Sequence, residues 1–564
     1  MTEMLRAIGE AEPFTGAEPF TNDERARLAP YFTSLDGHIF ALTNLPETVK
    51  GALFARYSRS GKSLRRLFLD EFADKVTPES SVAPASTETA AVARAERLYA
   101  RVFSDYGDDS VAQLGGAHIA CEYVSNVLTK VLEWGRLMSY LEQSTRYVPY
   151  TDRRNGRWRY HVPAEIGRGA LHDRYVRTMD VAFASYADWI PRMQAYFEAR
   201  HPRSGSDSEA VHRAAIRAKA LDTLRGILPA ATQSNVGLYG SGQAFEAQLL
   251  RMRAHPLIEV RECASGMLRE LRKVIPAFLT RVDQPDRGGR WSEYLASTRD
   301  QSGEVASQLL QGIEAEARDE VTLADFDPEG EVKVVAAVLY ASSTLPDDQL
   351  LALARRMSVD DRARLLRAYV GDRGNRRHRP GRAFERTSYR FDVLTDYGAF
   401  RDLQRHRLLT LEWQPLTTRH GYNEPAALVE AGGGEMWQRA MDDSAALHEQ
   451  LRSEGHERVA PYAVAMAYRV RFYMEMNARE AMHVIELRSA PQGHPAYRRV
   501  CQRMHTLIAD QAGHKAIAEA MRFADHSEVA LERLNAERAL EARRAFRQAQ
   551  GEPPNAVNDS GNES

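Results

Sequence analysis

Apolar positions follow a helical period in several separate stretches of the chain. Between residues 45 and 57 the pattern begins with a proline followed by Glu-Thr, which is typical of a helix start. A longer pattern between residues 117 and 140 predicts a long central helix. Its apolar positions are Tyr123, Val124, Val127, Leu128, Val131 and Leu132.

The second half of the chain repeats this order. An apolar run at 333–343 is followed at 345–357 by a pattern that predicts a further helix. We therefore predict two domains, at 31–290 and 331–530, joined by a connecting segment at 291–330 that contains a helix. Residues 1–30 are expected to be loosely ordered, and 531–564 to form a charged helix and a disordered tail.

Composition narrows the possible functions. The 75 basic and 77 acidic residues leave a formal net charge of −2, which argues against a protein that coats nucleic acid. Three scattered cysteines are too few for a disulfide framework or a cysteine-rich zinc module. His494, Cys501 and His505 have helical spacing but lack a fourth ligand, so we predict no metal site.

The sequence also bears on location. The first residues show no basic region followed by an apolar stretch, so no secretory signal is expected. The apolar run at 334–341 is far shorter than the roughly 20 residues needed to span a bilayer. We therefore expect a cytoplasmic protein that does not bind membranes.

The triplet Arg405-His406-Arg407 is the first candidate for chemistry. Two guanidinium groups and an imidazole within three residues can donate to phosphate or carbonyl oxygens. Thr417 and Arg419 follow shortly afterwards and add further donors. A solvated basic turn is the alternative interpretation of such a triplet.

A second polar group lies in the first half, in the string WGRLMSYLEQSTRY at 134–147. Glu142, Ser144 and Arg146 alternate, which would place them on one face of an extended segment. A hydroxyl and a guanidinium on one face can bind a phosphate, and the carboxylate can accept from a ribose or a base. An ordinary strand with a polar face fits the same pattern.

Both strings resemble the signature of the flavin-dependent thymidylate synthases, RHR followed by seven residues and Ser, more fully RHRxxSxNExSxRY. The string at 134–147, here called the first signature copy, has seven residues between Arg136 and Ser144 but Trp134 and Gly135 in place of Arg-His. The second signature copy, at 405–419, keeps the intact triplet, with nine residues before Thr417.

A further family segment, in which Asn-x-Arg opens a helix that ends in Leu-Arg, is similar to residues 476–488. It supplies Asn477, Arg479 and Arg488. The resemblance thus covers both halves and implies an α+β fold with two tandem copies of the family's domain, in which helices pack on a mainly antiparallel sheet. It also implies a homodimer that forms a pseudo-tetramer, because family members are homotetramers with shared sites.

The resemblance assigns roles to these residues. It implies that FAD contacts Arg405, His406, Arg407, Asn477 and Arg479, and that Arg407 and Arg488 are catalytic. The residues that it implies for the deoxyuridylate substrate (dUMP) are Arg136, Glu142, Ser144, Arg146, Thr417, Arg419 and Arg488. Each copy keeps what the other has lost, so we hypothesise that the two copies combine into one hybrid pocket.

The implied reaction is reductive methylation of dUMP to dTMP. FAD reduced by NADPH would supply the hydride, and methylenetetrahydrofolate the one-carbon unit. Arginines near the pyrimidine carbonyl would stabilise negative charge as C5 becomes nucleophilic. The alternative is a catalytically silent nucleotide- or flavin-binding protein, or a scaffold, on the same fold.

Overall fold

Two sheets with matching strand order are built by the two halves of the chain. The computed structural model describes residues 19–37, 40–57, 60, 62–73, 113–146 and 148–549. Its strands are β1 (Gly116–Ser125), β2 (Met138–Glu142), β3 (Arg153–Arg154), β4 (Arg157–Trp158), β5 (Gln233–Ser241), β6 (Val321–Phe326), β7 (Ser388–Asp396), β8 (Thr410–Trp413) and β9 (Arg469–Asn477).

Helices fill most of the remaining described chain. Those of the first half are α1 (Asn22–Leu28), α2 (Glu47–Tyr57), α3 (Leu64–Glu71), α4 (Asn126–Leu132), α5 (Ala170–Arg200), α6 (Glu209–Leu224), α7 (Gly242–Arg253), α8 (Ile258–Leu271) and α9 (Arg290–Leu309). Those of the second half are α10 (Gly330–Tyr340), α11 (Asp347–Arg356), α12 (Val359–Val370), α13 (Tyr397–Leu403), α14 (Ala426–Glu430), α15 (Gly434–Ser453), α16 (Ala478–Arg488), α17 (Pro495–Asp510), α18 (Lys515–Ala520) and α19 (Leu534–Ala549).

The strand orders reveal the duplication. The first sheet has the order β1-β5-β2, and the second has β6-β7-β9-β8, so β7, β9 and β8 repeat the arrangement of β1, β5 and β2. The pairs of the second sheet are antiparallel. The predicted α+β architecture of two tandem copies is thereby confirmed, and β6 is an additional edge strand of the second copy.

Each copy also repeats a strand-to-helix junction. The last residues of β1, β5, β7 and β9 each cap the helix that follows at once, and their side chains accept a hydrogen bond from a first-turn N–H. These capping residues are Ser125, Ser241, Asp396 and Asn477. Such residues satisfy an N–H group that has no partner within the helix, which stops the strand and starts the helix at one position.

The second sheet supplies a core that carries the site. Along β7 and β9 alternate side chains are buried, with Phe391 opposite Met474 and Val393 opposite Phe472. Helix α17 packs on β6 and β7 and contributes buried residues at helical spacing. The motif residues that follow β7 and β9 therefore stand on a rigid base.

The chain packs as two compact units. One comprises Met1–Cys121, Leu137–Leu141 and Val236–Gln311, and the other comprises Glu122–Arg136, Glu142–Asn235 and Gly312–Ser564. The second unit contains residues 134–136 and 142–147 of the first signature copy and the whole of the second. Packing thus divides the chain differently from the predicted domains, whose boundaries remain predictions.

Several predicted elements can be compared with the fold. Helices occupy 47–57, 347–356 and 534–549 as predicted. The prediction of a long central helix at 117–140 is wrong, because β1 occupies 116–125 and only 126–132 is helical. Tyr123 has φ +57°, which a right-handed helix does not allow, and its N–H donates to Asn235 Oδ1 at 2.9 Å.

The segments outside the two halves also differ from expectation. Residues 22–28 form a capped helix, α1, within the segment expected to be loosely ordered. The connecting segment contains the predicted helix, α9, but also β6, so the second sheet begins before residue 331. Residues 1–18 and 550–564 lie outside the described part. Among the described helices, none is both long and apolar enough to cross a membrane.

Candidate functional site

Glu142 of the first signature copy is the centre of a buried ionic cluster. It ends β2, and its carboxylate accepts from Arg401 Nη2 at 2.6 Å and from Arg405 Nη1 at 3.0 Å. Lys130 Nζ lies 3.5 Å away. The Glu142 side chain is 1% exposed, so these three cations balance a carboxylate that water does not reach.

The electrostatics of Glu142 follow from this setting. Burial by itself raises the pKa of the carboxyl group, but the charges of Arg401, Lys130 and Arg405 outweigh burial and lower the pKa to about 2. Glu142 is therefore ionised at neutral pH. It holds two arginines from the second half in fixed positions.

Arg146, also of the first copy, is anchored by a second carboxylate. Its Nε and Nη2 donate to Asp222 at 2.9 and 2.7 Å, and Asp222 lies on the buried face of α6. Its Nη1 donates to the Tyr497 hydroxyl and to the Gln492 carbonyl, both at 3.2 Å. A guanidinium held on several edges is a rigid donor group.

Asp402 connects the second copy to this cluster. Arg405 Nη2 donates to Asp402 Oδ1, and Arg488 Nη1 lies 3.7 Å from the same oxygen. Burial raises the pKa of Asp402, but the charges of Arg405, Arg488 and Arg225 outweigh it and lower the pKa well below its usual range. Asp402 thus remains a carboxylate beneath these arginines.

Tyr497 lies between the arginines of the two copies. Its hydroxyl accepts from Arg146, and the guanidinium carbon of Arg488 lies 5.6 Å from its ring centroid. Arg146 and Arg488 therefore flank one aromatic side chain, which α17 contributes. This brings residues from both copies to one place in the second unit.

His406, Glu480 and His483 form, among the described residues, the one group of three side chains whose atoms could surround a metal ion. Arg488 Nε donates to His406 Nε2 at 2.9 Å, so the proton of a neutral His406 must lie on Nδ1. That nitrogen faces Glu480 Oε1 at 3.7 Å. His483 Nδ1 lies 3.3 Å from the same Glu480 oxygen, so the three side chains form one contiguous polar group in which His406 Nε2 already accepts from Arg488.

Burial lowers the pKa of His406 most strongly. The neighbouring Arg488 lowers it further, while Glu480 opposes both effects, and the result is a pKa of about 4. The His406 imidazole is therefore neutral at physiological pH. Glu480 is ionised, because its hydrogen bonds to His406 and His483 outweigh burial and lower its pKa to about 2.

The start of the first signature copy packs on β8 of the second copy. Trp134 Nε1 donates to the Leu411 carbonyl at 3.2 Å, and its ring meets Trp413 edge-on with centroids 5.9 Å apart. Arg136 Nη2 donates to Thr410 Oγ1 at 3.0 Å. Trp134 replaces the family's first arginine with an apolar anchor.

Four further predicted residues are exposed or make hydrogen bonds within their own turns. Ser144 Oγ accepts from the Arg146 N–H at 3.2 Å, which shapes the turn while its O–H can still donate. Thr417 Oγ1 accepts from the Arg419 N–H at 3.3 Å. Arg407 and Arg419 are exposed. Tyr147 lies outside the described residues.

Comparisons with known proteins identify the family. Residues 64–277 and 322–512 match the family described as "Thymidylate synthase complementing protein". The chain belongs to this family. The first matched segment lies within the predicted first half, and the second covers most of the predicted second half but begins before it, at residue 322. This member is therefore a divergent tandem duplication of the flavin-dependent thymidylate synthase domain.

Relatives of two kinds are found. "UPF0159 protein" of Chlamydia muridarum is 37% identical over 520 residues, which covers 92% of this chain and 98% of the relative. "UPF0159 protein Ta1429" of Thermoplasma acidophilum is 30% identical and covers 86% and 97%. "Flavin-dependent thymidylate synthase" of Mycobacterium sp. (strain KMS) is 31% identical over 183 residues, 32% of this chain and 67% of the relative.

A solved structure is also similar, the UMP/dUMP methylase PolB from Streptomyces cacaoi bound with 5-Br dUMP. It is 19% identical, covers 38% of this chain and 100% of its own, and has a TM-score of 0.30. A score this low carries no functional argument.

The family implies a flavin, and the predicted flavin contacts can be tested against their surroundings. Arg405 is held between Glu142 and Asp402, which disfavours a phosphate at the same guanidinium. Arg479 Nε donates to the Pro380 carbonyl at 2.9 Å, and Asn477 caps α16. Three of the five predicted flavin contacts are thus engaged within the chain, while Arg407 is exposed.

The site contains residues that the motifs did not reveal. Arg401, Asp402 and Asp222 are as buried and as central as the signature residues. Arg401 and Asp402 are charged residues in the otherwise apolar stretch Tyr397–Leu403, and that contrast is the sequence signal that could have identified them. Asp222 lies on a helix with several other charged residues and has no such signal.

Proposed function

We propose that this protein methylates the pyrimidine ring of dUMP in one hybrid pocket formed by both signature copies. The first copy would supply Arg136, Glu142, Ser144 and Arg146. The second half would supply Arg407, Thr417, Arg419 and Arg488. FAD, NADPH and methylenetetrahydrofolate would be the cofactor and co-substrates, as the family implies.

The contact between Glu142 and Arg405, at 3.0 Å, carries this proposal. The two residues are 263 positions apart: Glu142 belongs to the first signature copy and Arg405 to the second. The glutamate kept by one copy thus contacts an arginine kept by the other, as a shared pocket requires. The proposed pocket therefore uses the complementary remnants of a duplicated site.

The charges of the cluster suit a phosphorylated pyrimidine. Arg146 and Arg488 would bind the anionic and carbonyl oxygens of dUMP, and Asp222 and Tyr497 would hold Arg146 in place. Arg407 and Arg488 would stabilise the negative charge that develops on the ring. Preorganised guanidinium groups need little rearrangement when that charge appears.

A cysteine nucleophile is not part of the proposal. Cys501 is fully buried, and burial raises the pKa of its thiol to about 12, so it stays protonated at neutral pH. Activation of the ring would therefore depend on charge stabilisation rather than on a covalent adduct with this thiol.

Tritium release from [5-³H]dUMP, with NADPH and methylenetetrahydrofolate present, tests the proposal. We expect release by the wild type and its loss in both Arg146→Ala and Arg407→Ala. Arg364→Ala, which changes an exposed arginine on α12, is the matched control and should release normally. Absence of release by the wild type would rule out the synthase, and loss in only one variant would rule out the hybrid pocket.

A catalytically silent nucleotide-binding protein is the second candidate. The pairing of Arg405 with two carboxylates favours it, because this pairing removes a flavin contact. The visible spectrum of the purified protein separates the candidates, since a flavin band supports the synthase. Retention of dUMP without flavin and without tritium release supports the silent protein.

We further propose that two chains assemble so that four family domains are present, as in a pseudo-tetramer. The repeated strand order of the two sheets supports this proposal. Light scattering coupled to size-exclusion chromatography should give twice the mass of the chain, and a monomer would contradict it.

A further inference from the structure

Two cysteines meet in the first unit, outside the ionic cluster described above. Cys121 lies on β1 and Cys263 lies on α8, and both residues belong to this unit. Their thiols hydrogen-bond to each other, although the two residues lie far apart along the chain. Neither belongs to a signature copy. The contact therefore brings together two oxidisable groups that the proposed dUMP pocket does not use.

The two thiols differ in burial. Cys121 lies on the buried side of β1 and is 7% exposed. Cys263 is half-buried, at the border of the buried stripe of α8 that contains Val260, Ala264 and Met267. The contact thus lies at the edge of the core and is open to solvent on the Cys263 side.

The hydrogen bond makes the two thiols chemically unequal. The Cys263 S–H donates to Cys121, which lowers the pKa of the Cys121 thiol in spite of its burial. The same bond, together with burial, raises the pKa of Cys263. Cys121 is therefore the member of the pair that forms the thiolate, and Cys263 is the proton donor. The thiolate is the form of cysteine that acts as a nucleophile.

A redox pair suits this arrangement better than a metal site does. A structural zinc ion needs four ligands, and among the described residues no group of three metal-binding side chains includes either cysteine. Disulfides of cytoplasmic proteins are usually transient and report the redox state. Redox-sensing sites often place a cysteine of lowered pKa beside a second cysteine that resolves its sulfenic acid. Cys121 and Cys263 have this relationship.

We propose that Cys121 and Cys263 form a reversible disulfide in response to hydrogen peroxide. The Cys121 thiolate attacks one peroxide oxygen, the O–O bond breaks, and the departing hydroxide takes up the proton that Cys121 gave up. The sulfur of Cys263 then attacks Sγ of the Cys121 sulfenic acid, the S–O bond breaks, and the hydroxyl group leaves with the Cys263 proton. Two thiols and one peroxide thus become one disulfide and two waters, and a dithiol reverses the change by exchange.

Peptide mapping of the full-length protein tests the proposal. The reduced protein is treated with hydrogen peroxide, denatured, alkylated and digested, and a second sample receives dithiothreitol after the peroxide. We expect a cross-linked peptide that joins Cys121 to Cys263, and its loss after dithiothreitol. Cys501 is fully buried and lies in the second unit, so it should be alkylated in every sample and serves as the internal control.

Two variants test the separate roles of the cysteines. In Cys263→Ser, Cys121 should stop at the sulfenic acid, which dimedone labels, because no thiol remains to resolve it. In Cys121→Ser, Cys263 should remain an unlabelled thiol, because burial keeps it protonated. Coincident circular dichroism spectra of the wild type and both variants would show that folding is intact.

Three results would overturn the proposal. The first is alkylation of both Cys121 and Cys263 after peroxide treatment of the wild type, with no cross-linked peptide. The second is a cross-link that includes Cys501 or that joins two chains. The third is equal labelling by dimedone in the two variants, which would remove the distinction between an attacking and a resolving thiol.

Discussion

The two signature copies have kept opposite parts of one site. In the first copy the first two residues of the triplet are replaced, and Trp134 packs on β8, but Glu142 and Arg146 remain and are buried. In the second copy the triplet remains, and the glutamate and serine positions are lost. This difference is the basis of the proposed shared pocket, in which each copy's losses would be covered by the other.

The contacts between the two signature copies differ in how far they are buried. Contacts between the copies at Glu142 are nearly inaccessible to water, whereas the contact between Arg136 and Thr410 is exposed. A buried carboxylate that loses its charge leaves its partners uncompensated, while water replaces an exposed contact at little cost. This contrast ranks the following predictions.

The largest effect is expected for Glu142→Gln. The substitution leaves Arg401, Arg405 and Lys130 without their shared carboxylate, so we expect a loss of about 3–5 kcal/mol in the free energy of unfolding. Denaturant unfolding followed by circular dichroism measures it. Glu412→Gln, at an exposed carboxylate in the second copy, is the control. Equal stability of the two variants would show that the contact between the copies is unimportant.

A pH effect is expected next, from His406. Its pKa is about 4 in the folded chain against an ordinary value of 6.5, so between these values the unfolded chain binds more protons. Folding stability therefore falls as the pH falls from 6.5 towards 4, by up to about 3 kcal/mol from this residue.

His406→Gln should lessen that dependence. The difference between thermal midpoints at pH 7 and pH 5 should be smaller than in the wild type, whereas the exposed His378→Gln should leave it unchanged. An identical difference in all three proteins would mean that His406 is not held neutral by its buried position.

A smaller effect is expected for Asp222→Asn. Arg146 would lose a charged partner that it contacts through two of its nitrogens, and we expect the free energy of unfolding to fall by about 2 kcal/mol, as for a buried hydrogen bond to a charged group. If Arg146 binds dUMP, the KM for dUMP should also rise. Asp188→Asn, on the exposed face of α5, should change neither quantity. A normal KM would remove Asp222 as a positioning residue.

The smallest effect is expected for Thr410→Ala. The hydrogen bond from Arg136 is exposed, so its loss should cost no more than about 0.5 kcal/mol. Thermal unfolding of Thr410→Ala and of Glu142→Gln, measured under the same conditions, compares the two losses of stability. A loss as large as that of Glu142→Gln would contradict the distinction between buried and exposed contacts.

Local patterns predicted some elements well and others poorly. Helices with clear caps and amphipathic spacing, as at 347–356, were predicted correctly because neighbouring residues determine them. The segment at 116–125 has the same spacing yet pairs in a sheet, because contacts distant in sequence outweigh a weak local preference.

The candidate site could be predicted only in part for the same reason. Motif resemblance identified Glu142, Arg146 and Arg405 and led to the hypothesis that they combine. Asp222 and Asp402 carry no motif, and their importance comes from the burial of the arginines that they neutralise. Packing of this kind cannot be inferred from the spacing of residues along the chain.

The number of dUMP molecules bound per chain tests the shared pocket most directly. Equilibrium dialysis with labelled dUMP should give one per chain, and Arg146→Ala and Arg488→Ala should each abolish all of it. Two per chain, with each substitution removing one, would contradict a pocket shared by the two copies.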